Sequence, residues 1–85
     1  MLDYLRELFE DLFGHTALRV DARYDSEGDR IQIKERGLWR FFVKDEERKR
    51  LKSIAEEYAR ESPNTDIRVR LTDYDGIGCT SVEYH

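Results

Sequence analysis

The sequence predicts a two-layer α+β sandwich. Three observations point there. Two segments carry apolar residues at spacings of three and four, other segments alternate strictly between apolar and polar residues, and Gly-containing turn clusters join the alternating segments into hairpins. The expected element order is α-β-β-β-α-β-β, with a mostly antiparallel five-stranded sheet and both helices on one face, because each strand has only one apolar side. At 85 residues the chain is read as a single domain spanning residues 1–85.

The first helix is expected over residues 2–13. Leu2, Leu5, Leu8, Phe9, Leu12 and Phe13 gather on one side, Asp3, Arg6, Glu7, Glu10 and Asp11 on the other, and Gly14 follows at a usual left-handed cap position. Residues 17–25 then alternate, with Leu18, Val20, Ala22 and Tyr24 on one face and Arg19, Asp21, Arg23 and Asp25 on the other. Ser26-Glu27-Gly28-Asp29 reads as a turn, and residues 30–34 as the returning strand with Ile31 and Ile33 inward. This register sets Tyr24 against Ile31, Ala22 against Ile33, Asp25 against Arg30 and Asp21 against Lys34, so apolar and charge complementarity agree.

Glu35-Arg36-Gly37 reads as a three-residue loop closed by glycine, leading to a third strand over 38–44. Its expected inward residues are Trp39, opposite Ile33, and Phe41, opposite Ile31, with Leu38, Arg40, Phe42 and Lys44 outward. The second helix is expected over about 46–61. Asp45 is its N-cap, Glu46 and Glu47 favour its dipole, and Leu51, Ile54, Ala55, Tyr58 and Ala59 form its buried stripe; Pro63 ends it. Asp75-Gly76 is a two-residue hairpin turn, pairing Leu71 with Thr80, Val69 with Val82 and Ile67 with Tyr84, and on the other face Arg70 with Ser81 and Arg68 with Glu83. The second helix acts as a crossover, so the fourth strand is expected parallel beside the first, giving the order 3-2-1-4-5. The α-β-β-β-α beginning is similar in element order to the double-stranded-RNA-binding domain. That family's basic glycine-rich loop is replaced here by Lys44-Asp45-Glu46-Glu47, so no function is carried over.

The net charge of −4 is unevenly distributed. Residues 1–29 hold three bases and eight acids, net −5; residues 30–52 hold nine bases and four acids, net +5; residues 53–85 hold three bases and seven acids, net −4. The expected outward sheet face carries Arg19, Arg23, Arg30, Lys34, Arg40, Lys44, Arg68 and Arg70 against Asp21, Asp25 and Glu83, with Leu38 and Phe42 on the same surface and Tyr74 near the hairpin turn. Arginine suits carboxylate and phosphate recognition. These residues are the expected partner-binding set of a small non-enzymatic interaction module: an adaptor, subunit or inhibitor, of a kind that phages or plasmids carry. The partner class is a protein, or another copy of the chain. The alternative is RNA or DNA held by the arginines with Phe42 stacking a base. The acidic helix surface (Glu7, Glu10, Asp11, Glu56, Glu57) could instead mimic nucleic acid.

Nothing in the sequence points to catalysis, a cofactor, a metal or a small-molecule substrate. His15, Cys79 and His85 lack ligand spacing, Cys79 falls on the outward face opposite Thr72, and His85 is a terminal residue expected to be mobile. Asp73 and Asp75 are ordinary turn chemistry, and Gly76-Ile77-Gly78 feeds no helix. A single cysteine, an acidic N-terminal dozen and the lack of any long apolar run point to a cytoplasmic protein with no secretory signal and no membrane partner.

Overall fold

The computed structural model describes Leu5, residues 16–37, 39–74 and 77–85, the side chains of residues 73, 74, 77 and 78 excepted. Within these residues the chain is a small α+β domain: one four-stranded antiparallel sheet and one α-helix. The strands are β1 (Thr16–Asp25), β2 (Arg30–Arg36), β3 (Ile67–Tyr74) and β4 (Ile77–Tyr84), in the order β2-β1-β3-β4, and the helix is α1 (Asp45–Glu61). The helix expected over 2–13 lies outside the described residues, apart from Leu5, which is helical. His15, Leu38 and the Asp75-Gly76 turn also lie outside them.

The β1–β2 hairpin has the register that charge and apolar matching require, with Tyr24 opposite Ile31, Ala22 opposite Ile33, Asp25 opposite Arg30 and Asp21 opposite Lys34. Asp29 closes its turn with φ 48°, a left-handed conformation that aspartate tolerates. The β3–β4 pairing is also the expected one, from Ile67–Tyr84 through Leu71–Thr80 to Thr72–Cys79. The terminal His85 is paired: its N–H donates to the Asp66 carbonyl (2.8 Å) and its carbonyl accepts from the Asp66 N–H (3.2 Å), which extends the ladder by one residue.

The third strand does not form. Strand β2 continues through Glu35 and Arg36, Gly37 then adopts φ 125°, and Arg40–Phe42 make a 3-10 turn. Gly37 lies so close to β1 that a Cβ on it would sit 3.2 Å from the Ala17 carbonyl oxygen. From there the chain satisfies its own backbone: Phe42 N–H donates to the Trp39 carbonyl (3.0 Å), Val43 N–H to the Arg40 carbonyl (3.3 Å), and the Arg40 guanidinium to the Gly37 carbonyl (2.7 Å). Local hydrogen bonds outcompete a ladder that β2 could have offered. Trp39 and Phe41 therefore do not face Ile33 and Ile31; Trp39, Phe41 and Phe42 are 43%, 71% and 79% exposed.

The lost strand changes the topology. The crossover now leaves from β2, which runs antiparallel to β1, so the strand that returns beside β1 is antiparallel rather than parallel. The expected neighbours survive and the expected direction does not. With the third strand gone, the likeness in element order to the double-stranded-RNA-binding domain goes too.

Helix α1 begins one residue earlier than expected. Lys44 is the N-cap without a side-chain bond, and Asp45, Glu46 and Glu47 occupy the first turn, where carboxylates offset the helix dipole. The helix stops at Glu61, and the Ser62 N–H closes its last turn onto the Tyr58 and Ala59 carbonyls. Leu51, Ala55 and Ala59 are fully buried against Leu18, Val20, Ala22, Ile67 and Val69, with Ile54, Tyr58, Ile31, Ile33, Leu71 and Val82 packed around them. Two alanines in that stripe let the helix axis approach β1 and β3 closely.

Candidate functional site: the basic face of the sheet

Alternation places Leu18, Val20 and Ala22 under the helix, so Arg19, Asp21, Arg23 and Asp25 occupy the opposite face. No described element covers that face. Pairing across three strands then aligns charged residues in rows. Arg19 lies between Arg36 of β2 and Arg70 of β3, and the next row runs Lys34, Asp21, Arg68, Glu83.

Asp21 is the centre of this arrangement. Its carboxylate accepts a hydrogen bond from Arg19 Nη2 at 3.0 Å and lies 3.6 Å from both Arg36 Nε and Arg68 Nε. Three guanidinium groups thus gather around this carboxylate. At the flanks Glu83 pairs with Arg70 (3.5 Å) and His85 (3.2 Å), and Asp66 accepts from Arg23 (3.1 Å). Among the described residues the face holds seven bases, Arg19, Arg23, Arg30, Lys34, Arg36, Arg68 and Arg70, against the carboxylates Asp21, Asp25, Asp66 and Glu83, a net +3 on a chain of net −4. A hollow of about 540 Å³ lies between β2 and the start of β3, lined by side chains including Gln32, Lys34, Arg36, Arg68, Asp66 and His85.

The expected binding set is only partly assembled here. Arg23, Arg30, Lys34, Arg68 and Arg70 are on the face. Arg19 is there too but only 7% exposed, held beneath its neighbours at Asp21, so it positions that carboxylate and offers little surface to a partner. Arg40 and Phe42 are displaced to the 3-10 turn and Lys44 to the helix N-cap, because the strand that would have carried them is absent. Leu38 is outside the described residues, as is the side chain of Tyr74. Arg36 was missed: it was assigned to a loop, yet it is the last residue of β2 and directly opposite Arg19. The signal was the alternation Arg30-Gln32-Lys34-Arg36, which continues unbroken through the expected loop. The described residues of this face include no aromatic ring, so the stacking role expected of Phe42 has no support on the sheet.

On the opposite side Glu35 faces the helix, where Arg48 donates to one of its oxygens and Lys52 Nζ lies 2.9 Å from the other. The Arg48 bond holds the Glu35 carboxyl below its ordinary pKa, against the opposing effect of burial, and the same bond raises that of Arg48. Tyr24 donates to Asp29 at 2.7 Å, which raises the phenol pKa. These contacts tie helix and turn to the sheet.

Among the described residues no three His, Cys, Asp or Glu cluster to hold a metal ion, and Cys79 is an exposed free thiol. No described helix is long and apolar enough to cross a membrane. Comparison of the chain with protein families, with curated proteins and with solved structures finds no match.

Proposed function

We propose that the protein is a small binding module that acts without catalysis, and that its sheet face docks on an acidic protein surface. The observation that supports this most directly is the gathering of basic side chains around Asp21, where Arg36 and Arg68 both lie 3.6 Å from the carboxylate and Lys34 pairs with Asp21 across the strands. The guanidinium is a planar fork of five N–H donors that matches carboxylate geometry. A partner's Asp or Glu side chains would meet Lys34, Arg36 and Arg68 in an array that the sheet holds rigid. Such an array suits an adaptor, subunit or inhibitor, because it speeds encounter and fixes orientation through charge complementarity.

The test is capture from host lysate with nuclease treatment, using the wild-type chain and a Lys34→Glu, Arg36→Glu variant. Both substituted positions are exposed, so the variant should keep its far-UV circular dichroism. The reading requires that an acidic protein be captured by the wild type, survive nuclease treatment and be lost with the variant. Capture that survives both charge reversals would refute the sheet face as the docking surface. Capture abolished by nuclease would instead identify phosphate as the recognised chemistry, the RNA- or DNA-binding alternative, whose signature is steep salt dependence.

A further inference from the structure

The hollow on the sheet face differs from the open surface around it. It runs across β1 from β2 to the start of β3, and its volume of about 540 Å³ falls within the range of pockets that hold small ligands. Its charged lining is Arg23, Lys34, Arg36 and Arg68 against Asp21 and Asp66, four bases to two acids, net +2 with His85 uncharged. Lys34 stands exposed at the rim, whereas the side chains of Arg68 and Asp21 are recessed, 24% and 30% exposed. A small molecule reaches recessed charges that a flat protein surface passes over.

Alternation builds this arrangement. Gln32, Lys34 and Arg36 leave β2 on the side away from the helix, and Arg68 leaves β3 on the same side. Strand β1 lies between them, so the two walls stand on strands about 10 Å apart. Arg36 and Arg68 lean inward: the Nε of each lies 3.6 Å from the Asp21 carboxylate, an ion-pair distance beyond hydrogen-bond length. Among the described residues Lys34 and Gln32 have no hydrogen-bond or ion-pair partner. Arg23 is held by Asp66 at 3.1 Å in an exposed pair, which contributes little stability and exchanges readily for another anion.

We infer that this hollow binds a small polyanion, one that carries at least two phosphoryl or carboxylate groups. One group sits against Lys34 and Arg36 on β2, and another against Arg68 on β3. The guanidinium fork fits both chemistries. A single anionic group does not reach both walls, so the polyanion gains charge-assisted hydrogen bonds that a lone anion lacks. Partial exclusion of water from the recessed wall strengthens them. The site needs no protein partner and is tested on the isolated chain.

Heteronuclear NMR titration of the full chain at low salt tests this, with tripolyphosphate and citrate as polyanions and inorganic phosphate and acetate as their single-group counterparts. Three variants accompany the wild type: Lys34→Gln, Arg68→Gln and, as control, Lys49→Gln, which removes the same charge from an exposed helical position outside the hollow. Circular dichroism checks folding, and the exposed Lys34→Gln carries the test if Arg68→Gln does not fold. At least one polyanion should bind saturably with a dissociation constant below about 1 mM, shifting the amides of residues 21–23, 32–36 and 66–68. It should bind at least about tenfold more tightly than its single-group counterpart, the effect of one added hydrogen bond to a charged group. Lys34→Gln and Arg68→Gln should each weaken binding about tenfold, and Lys49→Gln less than about twofold. Tripolyphosphate alone binding identifies phosphoryl groups as the ligand chemistry, citrate alone carboxylates, and both together a site that reads charge and spacing. Dissociation constants above about 1 mM for both polyanions overturn the inference. Single-group anions that bind as tightly, or a Lys49→Gln loss equal to that of Lys34→Gln, overturn it as well.

Discussion

Replacing Glu35 by Gln separates the charge of this residue from its shape. Glu35 lies on the helix-facing side of β2 with its side chain 15% exposed, bonded to Arg48 and Lys52, whose side chains are 27% and 45% exposed. Glutamine fills the same volume and can still accept from Arg48, so the change isolates the ionic part. Fully buried pairs cost about 3–5 kcal/mol to break, because the surviving charge stays desolvated. Exposed pairs contribute about 0–1 kcal/mol. Arg48 and Lys52 can both turn partly toward water, so the expected loss at pH 7 is about 1–2 kcal/mol, between those limits. For a domain of this size that lowers Tm by roughly 4–16 °C. The pH dependence gives an independent check. Arg48 holds the folded-state pKa of Glu35 below the ordinary 4.5, so near that pH the unfolded chain binds more protons than the folded one. The contribution of Glu35 is therefore complete above about pH 5.5 and is lost as pH falls through 4.5 toward the lower folded value. Urea unfolding followed by far-UV circular dichroism at pH 7, 5 and 3 should show the gap between wild type and Glu35→Gln closing on acidification. A gap below about 0.3 kcal/mol at pH 7, or one that is constant down to pH 3, would refute the ionic role assigned to Glu35.

Two further changes test the core and the turn. Leu51→Ala should cost about 2–5 kcal/mol in urea unfolding, because Leu51 is fully buried beneath α1. Trp39→Ala should cost under about 1 kcal/mol, where a core position would have cost about 3–5. Equal losses at the two positions would mean that the third strand forms after all. Gly37→Ala should cost about 1–3 kcal/mol, since φ 125° and the 3.2 Å approach to the Ala17 carbonyl both penalise a side chain; a neutral Tm would show that the turn relaxes.

Both hairpins were legible because their information is local. In β1–β2 the turn cluster fixes the loop length, and pairing Asp25 with Arg30 while Tyr24 meets Ile31 leaves one register that satisfies both faces. The same holds for β3–β4, where Tyr74 opposite Ile77 leaves only residues 75 and 76 between the strands. The helix was legible from period and dipole, within one residue of its start. The segment 38–44 was not. Trp39-Arg40-Phe41 fits strand alternation and a single helical turn equally well over so few residues, and the short-range pattern does not arbitrate. Arg40 decides between them with a side-chain bond back to the Gly37 carbonyl.

The binding face shows the same division. Which residues of β1, β2 and β3 point away from the helix follows from alternation alone, so Arg23, Arg30, Lys34, Arg68 and Arg70 were identifiable without coordinates. That three arginines converge on Asp21 depends on β1 lying between β2 and β3, which is a fact of tertiary assembly. Glu35 is the plainest case: its partners are 13 and 17 residues away, on the next element, and only the docking of α1 over the sheet brings them within reach. By itself the sequence determined period, turn and register, because those are set by neighbours a few residues apart. Tertiary structure decided the fate of the aromatic segment, the direction of β3 and the charge network, because each is a competition between local hydrogen bonds and contacts made only when distant segments meet.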